Sequence, residues 1–193
     1  MVNSTFEKWK MYITSLWFLF FLILIITADI PISFEPGSKF IGFKELGSRN
    51  VIPIFSVAML GIGLFFVHTF NMNLKGSVSS SFKIKKIRNK NYEHLTFLTT
   101  YIIPLICFDL GSLRYVIVLL VLLIIIGVIY VKTDMFYANP TLAIMNFQLY
   151  EADVELRDGI HEGVILISRS RVELSSSLVY RKLDEKIYFV RSV

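Results

Sequence analysis

Apolar runs and charged connectors alternate along the first two thirds of the chain, and a period-two pattern replaces them near the C-terminus. Met11 to Ala28 is an uncharged run of 18 residues closed by Asp29. As a helix it measures about 27 Å, close to a hydrocarbon thickness of about 30 Å. Val51 to Val67 is a second run, with His68 at its exit. The third is weaker. Its uncharged part, Leu95 to Phe108, contains Thr96, Thr99, Thr100 and Pro104, and it gains spanning length only by continuing through Asp109 to Leu113. The fourth, YVIVLLVLLIIIGVIYV from Tyr115 to Val131, is apolar all round and can face lipid on any side. Gly111-Ser112 between the last two predicts an antiparallel hairpin. The pattern therefore predicts four transmembrane helices, at about 11–28, 51–68, 95–113 and 115–131, within a region 1–134.

The connectors differ in kind. Asp29 to Asn50 is rich in Pro and Gly and reads as a loop, with Ile32, Phe34, Phe40, Ile41 and Phe43 lying back on the membrane surface. Asn71 to His94 reads as a basic loop. Beyond Lys132, the aromatic step Met135-Phe136-Tyr137 marks an interface, and Asn139 stands before Pro140 as an N-cap stands before a proline at the first helical position. A short helix over Pro140–Asn146 follows from that. From Tyr150 to Leu156 apolar residues alternate with Glu151, Asp153 and Glu155, the signature of a half-buried strand. Asp158-Gly159 is a turn, and Val164–Ile167, Val172–Leu174 with Leu178–Leu183, and Ile187–Val190 continue the sheet. Residues 135–193 thus read as a small, mainly antiparallel β domain with a short leading helix. Some 60 residues is a marginal size for a domain without disulfide or metal, so the tail is expected to pack on another copy or another protein.

Composition agrees with a membrane class. Of 193 residues 54% are hydrophobic and 18% charged, against about 25% charged in soluble domains. The net charge of +5 is local, because Asn71 to His94 holds six bases and one acid. Nine Lys and Arg residues fall in the N-terminus, this connector and the start of the tail, against four in the other two connectors. The positive-inside rule then places both termini in the cytoplasm. A cleaved signal peptide ending near Ala28 is disfavoured by the length of the run and by Ile26. The single cysteine, Cys107, permits no intrachain disulfide.

Catalytic patterns are not apparent in the sequence. His68, His94 and His161 are scattered, and no metal-ligand spacing, nucleophile elbow or phosphate loop occurs. Asp158, His161 and Glu162 read as solvent-facing groups at a turn, and the acids of the 150–156 strand as one solvated face. No enzyme, cofactor or metal is expected. Lys83, Lys85, Lys86, Arg88 and Lys90 are the candidate contacts for anionic lipid, at about 1 kcal/mol each, or for an acidic partner. Direct nucleic-acid binding is not expected, because no stacking aromatics accompany them. Asp109 reads as a helix-end or turn residue rather than part of an ion pathway.

Four spans with cytoplasmic ends, Phe136-Tyr137-Ala138-Asn139-Pro140-Thr141-Leu142, and then Asn146-Phe147-Gln148-Leu149-Tyr150-Glu151 leading into a β tail resemble the KwaA family, the membrane subunit of the two-gene bacterial anti-phage system Kiwa. That resemblance implies an inner-membrane oligomer, a tetramer, which detects phage attack at the envelope. It also implies a soluble DNA-binding partner of the KwaB type, recruited on the cytoplasmic side. The residues themselves support a non-enzymatic membrane sensor or scaffold. The alternative is a pore-forming or channel-like protein lined by Thr96, Thr99, Thr100, Pro104 and Asp109. Tyr137, Asn139 and Pro140 are the candidate coupling joint between membrane body and tail.

Overall fold

The computed structural model describes residues 4–29, 42–74, 79–156, 158–174 and 178–192. The first apolar run is two helices, α1 (Ser4–Ser15) and α2 (Trp17–Thr27), broken at Leu16. The Leu16 N–H is shared between the carbonyls of Tyr12 (3.3 Å) and Ile13 (3.2 Å). The hydroxyls of Thr14 and Ser15 donate to the carbonyls of Lys10 (2.9 Å) and Tyr12 (2.6 Å). Side-chain bonding back to the helix ladder is a known cause of such bends. The connector expected as a loop contains a short helix, α3 (Phe43–Arg49), with Phe43 85% exposed; Ile32, Phe34, Phe40 and Ile41 lie outside the described residues. The Asn50 side chain exchanges two hydrogen bonds with the Asp29 backbone (2.9 and 2.8 Å) and so ties the ends of that connector together. α4 runs Val51–Leu74, α5 Tyr92–Cys107 and α6 Leu113–Lys132.

Among the described residues three helical stretches, Thr5–Thr27, Val51–Met72 and Leu113–Lys132, are long and apolar enough to cross a membrane. α5 has 16 residues and stops short of Leu113. Its boundary has a local cause: Asp109 Oδ1 accepts the Gly111 N–H at 2.9 Å, which makes a turn of the residues that the hydropathy pattern continues through. The Asp109 carboxylate is thus a turn group, as expected.

α6 is not the uniform helix that its sequence predicts. Leu119, Leu123, Gly127 and Tyr130 form one buried stripe at three- and four-residue spacing. A Cβ at Gly127 would stand 2.6 Å from Tyr12 Cε1 and 2.8 Å from Trp9 Cζ3, so α1 approaches α6 only because this residue lacks a side chain. The Tyr12 hydroxyl donates to the Leu123 carbonyl at 2.5 Å. Gly63 plays the same part on α4, where a Cβ would meet Trp17 Cδ1 at 2.9 Å. Trp17 is accordingly a packing residue between α2 and α4. α5 and α6 meet through Phe97 on Tyr130 (4.8 Å between centroids) and Phe108 stacked on Tyr115 (5.9 Å).

The β region corrects the expected domain boundary. The basic connector is a strand, β1 (Ser79–Asn89), and it completes a closed five-stranded barrel with β2 (Gln148–Leu156), β3 (Gly159–Ser168), β4 (Leu178–Asp184) and β5 (Ile187–Ser192). A boundary at 135 therefore leaves one strand of the sheet outside. The physical reason is visible in FKIKKI: Phe82 and Ile84 point inward between outward lysines, and a bulge between Ile84 and Lys86 puts Lys85 and Lys86 on the same outer side. The order is β1-β2-β3-β5-β4, with β3 parallel to β5 and the other pairs antiparallel. This is the strand order of an OB-type barrel. Its interior is closed by Val154, Val164, Leu166, Leu178 and Val190, each at most 1% exposed. The missing core of the tail is supplied from within the chain.

Because β1 precedes α5 and β2 follows α6, the α5–α6 hairpin is an insertion between two paired barrel strands. The barrel end of the helices packs through Phe147, which lies 6.1 Å from both Phe70 of α4 and Phe189 of β5. The Arg169 guanidinium caps the Phe147 ring at 4.5 Å and donates to Asn71 Oδ1 at 2.7 Å.

Candidate functional site at the helix-barrel joint

After α6 the chain passes through Asp134, in the left-handed region (φ 56), and a single 3-10 turn, Met135–Tyr137, to Ala138 and Asn139, both 0% exposed. Asn139 is extended and caps α7 (Pro140–Ile144): its Oδ1 accepts the Thr141 N–H at 2.9 Å, and Pro140 occupies the first turn. The cap expected from the sequence is present, and α7 ends two residues earlier than expected. The same side chain has a second role. Asn139 Nδ2 donates to the Met11 carbonyl at 3.0 Å, and Thr141 Oγ1 donates to the Thr14 carbonyl at 2.8 Å. The Tyr101 hydroxyl of α5 donates to the Ser15 carbonyl at 3.2 Å. The α1–α2 break disturbs the carbonyls of one turn, and side chains from the linker and from α5 accept the task of pairing them.

His94, in the first turn of α5, is 3% exposed and lies against the backbone of Asn139 and Phe147 without a well-formed hydrogen bond from either ring nitrogen. Tyr137 is half-buried, and burial together with the adjacent Glu93 carboxylate pushes its hydroxyl up to about 12. The joint therefore holds a buried imidazole, a neutral phenol and backbone carbonyls paired by side chains of the linker and of α5.

Two lysines bracket the joint. Lys8 of α1 contacts Asp134 after α6 and Asp184 of β4, the latter at 2.9 Å. Lys90, just past β1, pairs with Glu93 of α5 and with Glu151 of β2, both at 3.2 Å. Hydrogen bonds to Glu151 and then Glu93 raise the Lys90 pKa above its usual value. Between these pairs lies a polar crevice of about 770 Å³ whose walls include Tyr137, Glu151, Ile165 and the 184–187 turn.

Of the five basic residues singled out in the sequence, Lys90 faces this crevice, while Lys83, Lys85, Lys86 and Arg88 stay exposed on the outside of β1. Their register sets Lys83 opposite Glu155, Lys86 opposite Asp153 and Arg88 opposite Glu151. Lys85 Nζ reaches Glu155 Oε2 at 2.9 Å and holds that carboxyl below its usual range. Asp153 Oδ1 accepts the Gly163 N–H at 2.9 Å. The acids of β2, expected to form a solvated face, are thus the partners of the basic strand, an arrangement of charge pairs across adjacent strands. In OB barrels ligands sit on the β2–β3 face between the 1–2 and 4–5 connections. Here those connections are the α5–α6 hairpin and the 184–187 turn.

Elsewhere the hydroxyls of Thr96, Thr99 and Thr100 donate to carbonyls of their own helix (3.2, 2.7 and 2.7 Å). His161 contacts Asp158 at 3.1 Å on the exposed β2–β3 turn and lowers that carboxyl's pKa. Among the described residues no group of three His, Cys, Asp or Glu is placed to hold a metal ion. The structure places Tyr137, Asn139 and Pro140, the candidates singled out in the sequence, beside one another at the joint, where Tyr101, Thr141, Lys8 and His94, not among those candidates, also lie. Thr14-Ser15 inside an apolar run was the available signal for the helix break.

The family model described as anti-phage protein KwaA matches residues 7–189. Kiwa protein KwaA of Escherichia coli O55:H7 is 36% identical over 193 residues, 99% of this chain and 98% of that protein. No solved structure matches.

Proposed function

The chain belongs to the KwaA anti-phage family, and from that premise we propose that it is the membrane sensor and scaffold of a Kiwa defence system. In this reading the chain lies in the bacterial inner membrane with α5 as a fourth crossing and both termini in the cytoplasm. It assembles as a homo-oligomer, a tetramer, and recruits a cytosolic DNA-binding partner of the KwaB type through the barrel. It does no catalysis, binds no cofactor and does not contact nucleic acid itself. Lys83, Lys86 and Arg88, exposed on the barrel's outer wall, are the proposed lipid or partner contacts there.

The observation that carries the reading is the joint. Asn139, Thr141 and Tyr101 fasten the bend of the first helix to the linker leading to the barrel, so a displacement of α1 relative to α2 is delivered to the barrel and not absorbed by a flexible tether. Loss of the cap and of one hydrogen bond amounts to about 1 kcal/mol each, enough to loosen the joint without unfolding the chain. Asn139→Ala with Pro140→Ala is expected to leave the protein in the membrane but abolish phage resistance and recovery of the partner; resistance at the level of the unaltered chain overturns the coupling role. A pore makes a different demand, ion flux in liposomes holding this protein alone and altered by Asp109→Asn. The threonine hydroxyls bonded within α5 offer little to an ion, which favours the scaffold.

A further inference from the structure

We infer that the contact between helices and barrel is a two-position latch, in which Lys8 and Lys90 hold the barrel's β2–β3 face closed against the helix ends. Each lysine joins one carboxylate of the helical body to one of the barrel: Lys8 links Asp134 to Asp184, and Lys90 links Glu93 to Glu151. The two body carboxylates follow α6 and open α5, so both ends of the inserted hairpin are held. The surface between them is a polar crevice of about 770 Å³ and not a packed seam. Its geometry contrasts with the apolar contact through Phe70, Phe147 and Phe189, where separation exposes buried rings to water. Opening at the crevice parts one of the two carboxylate contacts of each lysine, between side chains 14–33% exposed, and water entering the crevice hydrates the freed ions. Opening at the phenylalanines forfeits apolar burial. Movement of the barrel is therefore a swing about the Asn139 and Phe147 contacts, with the crevice as its mouth. The face that it uncovers carries Glu151 and Ile165 beside the 184–187 turn.

The latch goes beyond the sensor reading, and its test does not depend on phage resistance. The full chain is embedded in nanodiscs with Cys107→Ser, and Ile165→Cys in the crevice wall is labelled with a water-soluble maleimide. Glu151→Gln together with Asp184→Asn is expected to raise the labelling rate about three- to tenfold. Raising salt to about 1 M, where the screening length is about 3 Å, is expected to raise the rate of the unaltered latch in the same direction. Glu155→Gln, which removes a barrel ion pair outside the crevice, is expected to change nothing. An unchanged rate in the double variant overturns the latch, and so does an equal rise in the Glu155→Gln control. Spin labels at Lys132→Cys and Lys182→Cys give a second reading that substitutes no crevice residue: the latch requires the distance distribution to broaden or lengthen in the double variant, and an unaltered distribution overturns it.

Discussion

The helical body and the barrel bury their side chains by different rules. In the barrel each strand presents one face inward, and its core residues are sealed by the chain itself. In the body only the first membrane-length stretch is close to half buried, at 44%, while those of α4 and α6 are 17% and 22% buried. The barrel thus seals its apolar side chains within its own strands, whereas α4 and α6 leave most of their apolar surface uncovered by the rest of the chain. An apolar substitution should accordingly be costly in one region and nearly silent in the other.

The sharpest test of that contrast pairs Leu166→Ala with Ile124→Ala. Leu166 is 0% exposed in the barrel and Ile124 61% exposed on α6. The first should lose about 2–5 kcal/mol, read as a fall in unfolding temperature in detergent, and the second within about 0.5 kcal/mol. Equal losses mean that α6 is buried by its own fold. Gly127→Ala probes the exception, the one stripe of α6 that packs on α1. Trp9 and Tyr12 must shift to admit the methyl group, at a cost of about 1–3 kcal/mol; Gly61→Ala, which meets open space, is the control.

The smallest effect is expected at the outer wall. Lys85→Ala removes an exposed pair with Glu155 and should leave the unfolding temperature nearly unchanged, and more nearly so at high salt.

The basic strand and α6 show why some of this structure was legible in the sequence and some was not. Asn139-Pro140 announced a helix start because a cap is chemistry between neighbours, and the strands after Tyr150 were legible from alternation. FKIKKI carries the same alternation, but a run of lysines between two apolar segments also satisfies a cytoplasmic loop, and its local pattern names no partner. The first helix likewise hid its role, since Thr14 and Ser15 declare a bend but not which side chains will meet the carbonyls there.

The sequence by itself determined the membrane class, the apolar runs, the capped linker and the alternation of the tail, because each depends on solvent preference and on bonds a few residues long. Only the tertiary structure decided that β1 closes the barrel by pairing with β2 and β4, with Asn89 opposite Tyr150 and Phe82 opposite Leu178. It also decided that Gly127 gives α6 a packing face, and that Lys8 and Lys90 bridge body and barrel. Those outcomes depend on which distant groups arrive together, and a uniformly apolar helix or an isolated lysine carries no local mark of its partner.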